Sequence, residues 1–305
     1  MINKITSRGV TLLNLHNPTQ TETRTLVNEY SVAPAVSQDI LLPNYKDKLE
    51  IYDKYFYVVL HFPAFKHNHN NQHRQEIDFV VGANYLITNT YESIEVVDKF
   101  TRGFEVNSLI TKQDSTNGTG PETFLALMDA LYDAMGNELD SIKDSLRSIE
   151  ARIYHRHNRQ VIVEISHVGR RLINFDQILV PHFEVFDFLK KERHTLLPLD
   201  AQKLFESLLN KYEKIARQTK HTMDLLRELR LTNDSLFDAE QNEIMRTLTV
   251  IAFISLPLSI MTGFFQMNTR FTPLVGGDND WWLLMGIMTV ATAILLLIAK
   301  IKKWF

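Results

Sequence analysis

The side chains of this sequence that could do chemistry together lie in one uncharged run. No charged residue occurs between Arg246 and Arg270, and Thr249, Ala252, Ser259, Gly263 and Gln266 recur there at gaps of three, four or seven. On a helix such gaps form one stripe, small and polar, with Leu256 as its single bulky member. The run is long enough to cross a bilayer, which takes roughly 20 apolar residues. A small, polar stripe in hydrocarbon does not want lipid. It wants a closely packed second helix or a water-filled pathway, and spacing alone leaves both open.

Two further groups carry charge or ligating atoms. Asp234, Asp238, Glu240 and Glu243 form a run without bases between Arg230 and Arg246. It reads as a solvated helix face or, around a shared axis, as a ring that concentrates cations. His67, His69 and His73 lie in KHNHNNQHR, and His155 and His157 in YHRHNR. A His-x-His pair can bind Zn2+ or Ni2+. With no cysteine and no regular element to frame it, the reading here is a solvated loop. No Ser-His-Asp or paired-carboxylate arrangement stands out, so no enzyme is expected.

The composition narrows the field. The 305 residues suffice for one large or two ordinary domains. A net charge of −3 gives no sign of nucleic-acid binding. The absence of cysteine excludes disulfides and thiolate metal sites, and fits a reducing compartment. Neither GxGxxG nor GxxxxGK[ST] occurs, so no phosphate-cradling loop is visible and no cofactor is expected. The opening MINKITSRGV lacks the apolar centre of a signal peptide.

The elements that must position the stripe follow from periodicity. Residues 1–118 read as an α/β domain, with strands at Thr11–Leu15, Tyr55–Phe62, Ile77–Val81 and Tyr85–Thr90. Pro34–Leu42 reads as a short helix closed by Pro43, and Val106–Ile110 as a last strand or short helix. Residues 119–246 read as long helices and a stalk. Pro121 and Glu122 open the first of them. Phe124, Met128, Leu131, Met135, Leu139, Ile142, Leu146, Ile149 and Ile153 form its apolar seam. A second helix spans about Val161 to Arg193, with Ile165, Val168, Leu172, Phe175, Leu179, Phe183 and Phe186 on one side. Pro181 should kink it or end its first half.

Asp200 is the expected N-cap of a third helix, with Leu204, Leu208, Ile215, Met223, Leu226 and Leu229 at helical spacing. It would run to about Phe265, on the order of 100 Å at 1.5 Å per residue. Residues 247–267 form a first span, 268–280 an outer loop, 281–299 a second span and 300–305 a basic tail. Lys300, Lys302 and Lys303, with Arg246, put both ends of the pair on the cytoplasmic side. The expected fold class is an α+β membrane protein. An N-terminal cytoplasmic α/β domain leads to a long helical stalk, continuous with the first of two C-terminal transmembrane helices.

The stretch MRTLTVIAFISLPLSIMTGFFQMN resembles the CorA family of divalent-cation transporters, as do EIDFVVGANYLITNTYESI and YVVLHFPAF more weakly. The family closes its first span with Gly-Met-Asn; here the letters are Gln266-Met267-Asn268. The resemblance implies a homopentameric pore for Mg2+, with Co2+ or Ni2+ as further cargo, in the cell (inner or plasma) membrane. It implies that the pore face carries Asn242, Thr249, Leu256, Ser259, Gly263 and Asn268, the same face as the stripe. Asn268 would hold the hydrated ion through its amide and Leu256 would form the constriction. The implied partners are further copies of the chain, the bilayer and divalent cations. Gln266 adds a bulkier amide at the mouth, and Arg270 a positive charge that Asp278 and Asp280 could offset. These departures keep two other readings in play: the zinc-transporting branch, with proton coupling, and a non-conducting membrane-anchored homologue.

Overall fold

A computed structural model describes residues 2–64, 74–110, 118–153, 159–192, 196–266 and 279–302. The chain forms two compact units, Met1–Leu229 and Arg230–Phe305.

The first unit is built on a six-stranded sheet in the order β1-β2-β6-β5-β4-β3. The strands are β1 (Ile2–Ser7), β2 (Val10–His16), β3 (Lys48–Ile51), β4 (Tyr55–Pro63), β5 (Arg74–Gly82) and β6 (Tyr85–Thr90). All pairings are antiparallel except β2 with β6. β1 is an addition to the sequence reading. Its alternating Ile-Asn-Lys-Ile pattern is weak, but Arg8 (φ 51°) and Gly9 (φ 78°) make the left-handed pair that a two-residue hairpin turn requires. β4 is buried along its whole length, which explains why its aromatic and β-branched run does not alternate with polar residues.

Both sheet faces are covered. On one lie α1 (Gln20–Tyr30) and α2 (Pro34–Asp39), whose Leu26 and Val36 join Tyr57, Val59, Val80 and Ile87 in one apolar cluster. The expected helix over Pro34–Leu42 ends earlier, at Asp39. α3 (Glu95–Ile110) takes up Val106–Ile110 as helix, excluding a strand there. On the other face Phe124 of α4 (Gly120–Ile153) meets Phe56 and Phe79 edge-on. Thr119 caps α4 reciprocally: its amide donates to Glu122 Oε2 (2.8 Å) and its hydroxyl accepts from the Glu122 amide (3.3 Å).

All nine expected seam residues of α4 are buried. α5 (Arg159–Lys191) runs unbroken through Pro181. Phe183, expected in its seam, is 55% exposed, while His182 beside it is fully buried. The Tyr132 hydroxyl donates to His182 Nδ1 (2.6 Å), and His182 Nε2 donates to the His61 carbonyl (2.8 Å). A histidine that must accept at one nitrogen and donate at the other is neutral, and burial accordingly lowers its pKa to about 4. α6 (Leu199–Gln266) is one continuous helix. Asp200 lies in its first turn instead of capping it. Leu204 is 46% exposed, because Phe205 turns inward to meet Phe186 edge-on at 6.1 Å.

Gly120 fixes how α4 meets the sheet. A Cβ there would lie 2.0 Å from the Gly82 carbonyl oxygen and 2.5 Å from that of Tyr85. Gly136 of the same helix has open space around it. Gly120→Ala should therefore lower stability by about 1–3 kcal/mol through forced backbone movement. Gly136→Ala should raise it by about 0.5–1 kcal/mol. Thermal unfolding of the full-length protein followed by circular dichroism checks both, and equal shifts in the same direction would contradict the assignment.

Candidate functional site

The second unit holds the end of α6 and α7 (Asp280–Ile301). Both are long and apolar enough to cross a membrane. Along α6, Asn242, Thr249, Ala252, Leu256, Ser259, Gly263 and Gln266 are all exposed. Val250 is buried, and Phe253, Ile254, Pro257, Leu258 and Met261 are partly buried. At 3.6 residues per turn the two sets are centred about 150° apart around the axis. The unit's own packing therefore covers one side of the helix and leaves the rest open: the small, polar side together with Leu248, Ile251, Ile260 and Phe264, each more than half exposed. Among the described residues outside its own helical turn, nothing lies within 4 Å of a Cβ built on Gly263, so their packing does not explain that glycine.

The hydroxyls of the stripe have a fixed polarity. Thr249 donates to the Met245 carbonyl (2.7 Å) and Ser259 to that of Ser255 (2.9 Å). With their hydrogens committed to the helix, both oxygens present lone pairs outward. The water shell of a cation turns its hydrogens outward, and a surface of this polarity is chemically able to accept hydrogen bonds from it.

The acidic run divides. Asp234 and Asp238 precede Asn242 at gaps of four and continue the stripe, and both are exposed. Glu240 and Glu243 fall on the opposite side of the helix. Met245, which sequence reasoning passed over, sits on the stripe between Asn242 and Thr249 and is 61% exposed. Gln266 is exposed at the last position of α6. Met267, Asn268, Arg270 and Asp278 lie outside the described residues, as do His67, His69, His73, His155 and His157. Among the described residues, no group of three or more His, Cys, Asp or Glu side chains is placed to hold a metal ion.

A polar cluster in the first unit was also missed. His61, Glu76, Asp78 and Asn89 are buried on neighbouring strands of one sheet face. The register pairs His61 with Glu76 and Asp78 with Asn89. Beside them is a cleft of about 710 Å3, lined in part by Leu42, Asn44, His61, Gln75, Glu76 and Tyr91. No motif announces it; only the strand register brings these residues together.

The family described as CorA-like Mg2+ transporter protein matches residues 7–303. The chain is similar to the cobalt/magnesium transport protein CorA of Thermotoga maritima, 22% identical over 96% of this chain and 83% of the relative. The fold is similar to that of the complete CorA magnesium transporter of Methanocaldococcus jannaschii: TM-score 0.83, 17% identity, 97% of this chain and 92% of that one. The cytoplasmic domain of ZntB from Vibrio parahaemolyticus aligns with TM-score 0.61 and 12% identity, over 78% of this chain and 90% of that domain.

The cysteine-free sequence allows a direct test of which side of α6 meets water. Single Ser259→Cys and Gly263→Cys variants, reconstituted in bilayers, should react with a charged thiol reagent. Val250→Cys should react at least about tenfold more slowly, as a buried, apolar thiol does. Equal rates would contradict an open polar face.

Proposed function

The chain belongs to the CorA-like Mg2+ transporter family, and on that premise we propose that it is a passive Mg2+ channel formed by five copies around one axis. The observation that carries this reading is the open small-and-polar side of α6, which continues from Asp234 to Gln266 opposite the covered side. Five such faces around an axis form a conduit lined by acceptor oxygens. They also bury a surface that lipid would leave unsatisfied.

In this arrangement Asp234 and Asp238 form acidic rings at the inner end, concentrating cations before the pore. Asn242, Thr249, Ala252, Ser259 and Gly263 line the passage, and Leu256, 64% exposed in the single chain, is the constriction. Asn268 holds the hydrated ion at the outer mouth through its amide oxygen, which suits an ion that sheds water reluctantly. Gln266 and Met267 flank it, with Gln266 supplying a second ring of amides. Entry is driven by the membrane potential, worth about 2.3 kcal/mol per charge per 100 mV. The N- and C-termini lie in the cytoplasm and the spans in the plasma or inner membrane. A second reading, Zn2+ transport with proton coupling, keeps the same architecture, and the fold is similar to that of the ZntB domain as well as to that of CorA.

Reconstituted protein under an inward Mg2+ gradient should load a Mg2+-sensitive dye inside liposomes. Absence of uptake would remove the channel reading. Faster Zn2+ than Mg2+ uptake, accelerated by a pH gradient, would favour the second. At low salt, Asp234→Asn with Asp238→Asn should slow uptake by about tenfold, and Glu240→Gln with Glu243→Gln much less. The reverse order would displace the acidic rings from the stripe. Gln266→Gly should change the Mg2+ to Co2+ flux ratio, and an unchanged ratio would remove Gln266 from the mouth.

A further inference from the structure

Both ring nitrogens of His61 face groups that can only accept. Nδ1 lies 3.1 Å from Asp47 Oδ1, and Nε2 lies 3.0 Å from the Asn44 carbonyl oxygen. The same Asp47 oxygen accepts the His61 amide hydrogen at 2.7 Å, so it meets two donors from one residue and acts as a carboxylate. A neutral imidazole has one ring hydrogen. It serves one of these acceptors and turns a lone pair on the other. Both bonds together require the imidazolium. Among the described residues, the buried side-chain donors left without a partner are Asn44 Nδ2 and Tyr57 Oη, and neither bonds the ring. No other hydrogen therefore covers a bare ring nitrogen. The His61 and Asp47 side chains are 10% and 11% exposed, so water does not supply one freely.

These bonds join two parts of the first unit. His61 stands near the end of β4, whereas Asn44 and Asp47 belong to the connection from α2 to β3. That connection contains no helix or strand over 44–47, and Tyr45 within it is 96% exposed. Three hydrogen bonds from His61 hold it. One further bond runs from the Asn44 amide to Glu76 Oε1 of β5 (2.9 Å). Upstream, Tyr91 Oη donates to the Leu42 carbonyl (3.0 Å). Leu42, Asn44 and Tyr45 form one wall of the 710 Å3 cleft, and His61, Glu76 and Tyr91 face it from the sheet side.

We propose that the His61 imidazolium is a clasp: it holds residues 44–47 against the end of the sheet, and its loss of one proton releases them and opens the cleft they wall. Without that proton a ring lone pair faces either the Asp47 carboxylate or the Asn44 carbonyl. Two buried acceptors turned on each other are relieved by letting the segment move out to water.

The charges that face the ring favour its protonated form. From the connection comes Asp47, and from β5 comes Glu76, whose Oε2 lies 3.7 Å from Nε2. Among the described residues neither carboxyl pairs with Lys or Arg. Lys48 of β3 is held by Asp39 and Glu50, and Arg74 of β5 donates to Gln177 Oε1 (2.5 Å). From α5, His182 donates to the His61 carbonyl and is neutral. Glu184 of the same helix shares a groove with Asp47, and Glu92 lines the cleft.

The two partners respond to pH in opposite directions. Burial lowers the His61 pKa, but the bond and charge of Asp47 outweigh it and leave the pKa raised. The His61 contribution is therefore fully present below its open-state pKa and lost as pH rises through the folded-state value. Burial raises the Asp47 pKa, but the bonds and charge of His61 outweigh it and leave the pKa lowered. The Asp47 contribution is present above its open-state pKa and lost only as pH falls through the folded-state value. The clasp is thus closed at neutral pH and fails toward alkali through His61. Burial raises Glu76 and Asp78, so they share the sign of His61 and the variants below separate them from it.

Hydrogen exchange of the full-length protein in nanodiscs, corrected for intrinsic rates, tests the clasp. Between about pH 6.5 and about pH 9, the amides of 41–47 and of His61 should exchange about fivefold faster or more at the higher pH, within the roughly tenfold per pH unit that one proton allows. His61→Gln keeps a neutral donor and has no proton to lose, so the same amides should lose most of that response. Asp47→Asn keeps an acceptor oxygen and removes the charge that favours the imidazolium, so the transition should move down by about one pH unit or more. Wild-type exchange that ignores pH overturns the proposal. So does the full wild-type response in His61→Gln, which would assign the transition to Glu76 and Asp78, and so does an unmoved transition in Asp47→Asn. If the variants do not fold, nitrogen-15 NMR of the histidine-labelled wild type decides. An imidazolium signal that persists near about pH 7.5, where ordinary histidine is mostly neutral, and is lost together with the protection of 41–47 supports the clasp. The absence of such a signal refutes it.

Discussion

Hydrocarbon offers no hydrogen-bond partner, and every polar atom of α6 between Thr247 and Gln266 has to answer to that. The backbone does so by staying helical. Thr249, Ser259 and Thr262 do so by returning their hydroxyl hydrogens to carbonyls of their own helix. What remains is a row of outward lone pairs on one side, partly covered apolar residues opposite it, and open apolar flanks at Leu248, Ile251, Ile260 and Phe264. Pro257, which removes one backbone donor, falls on the partly covered side. The division between a side the chain covers and a side it leaves open is what makes this segment more than an anchor.

The first unit meets the same demand by counting hydrogens in a protein interior. His182 and His61 show the two outcomes. One imidazole stands between a donor and an acceptor and is neutral; the other stands between two acceptors and is charged. They are joined through the His61 carbonyl, so the sheet, the Asn44–Asp47 segment and the α4–α5 pair share one run of hydrogen bonds. Around this run the packing is aromatic, with Tyr132, Phe186 and Tyr212 in mutual ring contact.

Local periodicity carried much of the fold. The α4 seam, the unbroken reach of α6 and both apolar helices were legible because each repeats over many turns. Elements failed where they are short or weakly patterned: β1 is half polar, β3 has four residues, and α1 begins in a run of Gln, Thr and Glu. Phe183 and Leu204 were assigned inward because spacing does not specify which neighbour of a pair turns to the core. The small and polar positions of α6 share one side of the helix, as their spacing requires. Within the acidic run, Asp234 and Asp238 share that side, and Glu240 and Glu243 share its sequence neighbourhood and not its side. The His61–Glu76–Asp78 cluster was invisible, because the carboxylates are two residues apart in a strand that reads as ordinary and their meaning comes from β4 and β6. The histidines that drew notice in the sequence lie outside the described residues; those that matter to the interior are inside β4 and α5.

The parallel pairing of β2 with β6 places Leu12 beside Leu86. During synthesis the N-terminal hairpin must therefore wait, with one sheet edge unpaired, until the β4–β5–β6 meander has left the ribosome. All six strands precede Thr247, so the sheet can close before either apolar helix is made. The edge of β2 thus stays unpaired while about seventy residues are added, and every described strand is synthesised before either apolar helix.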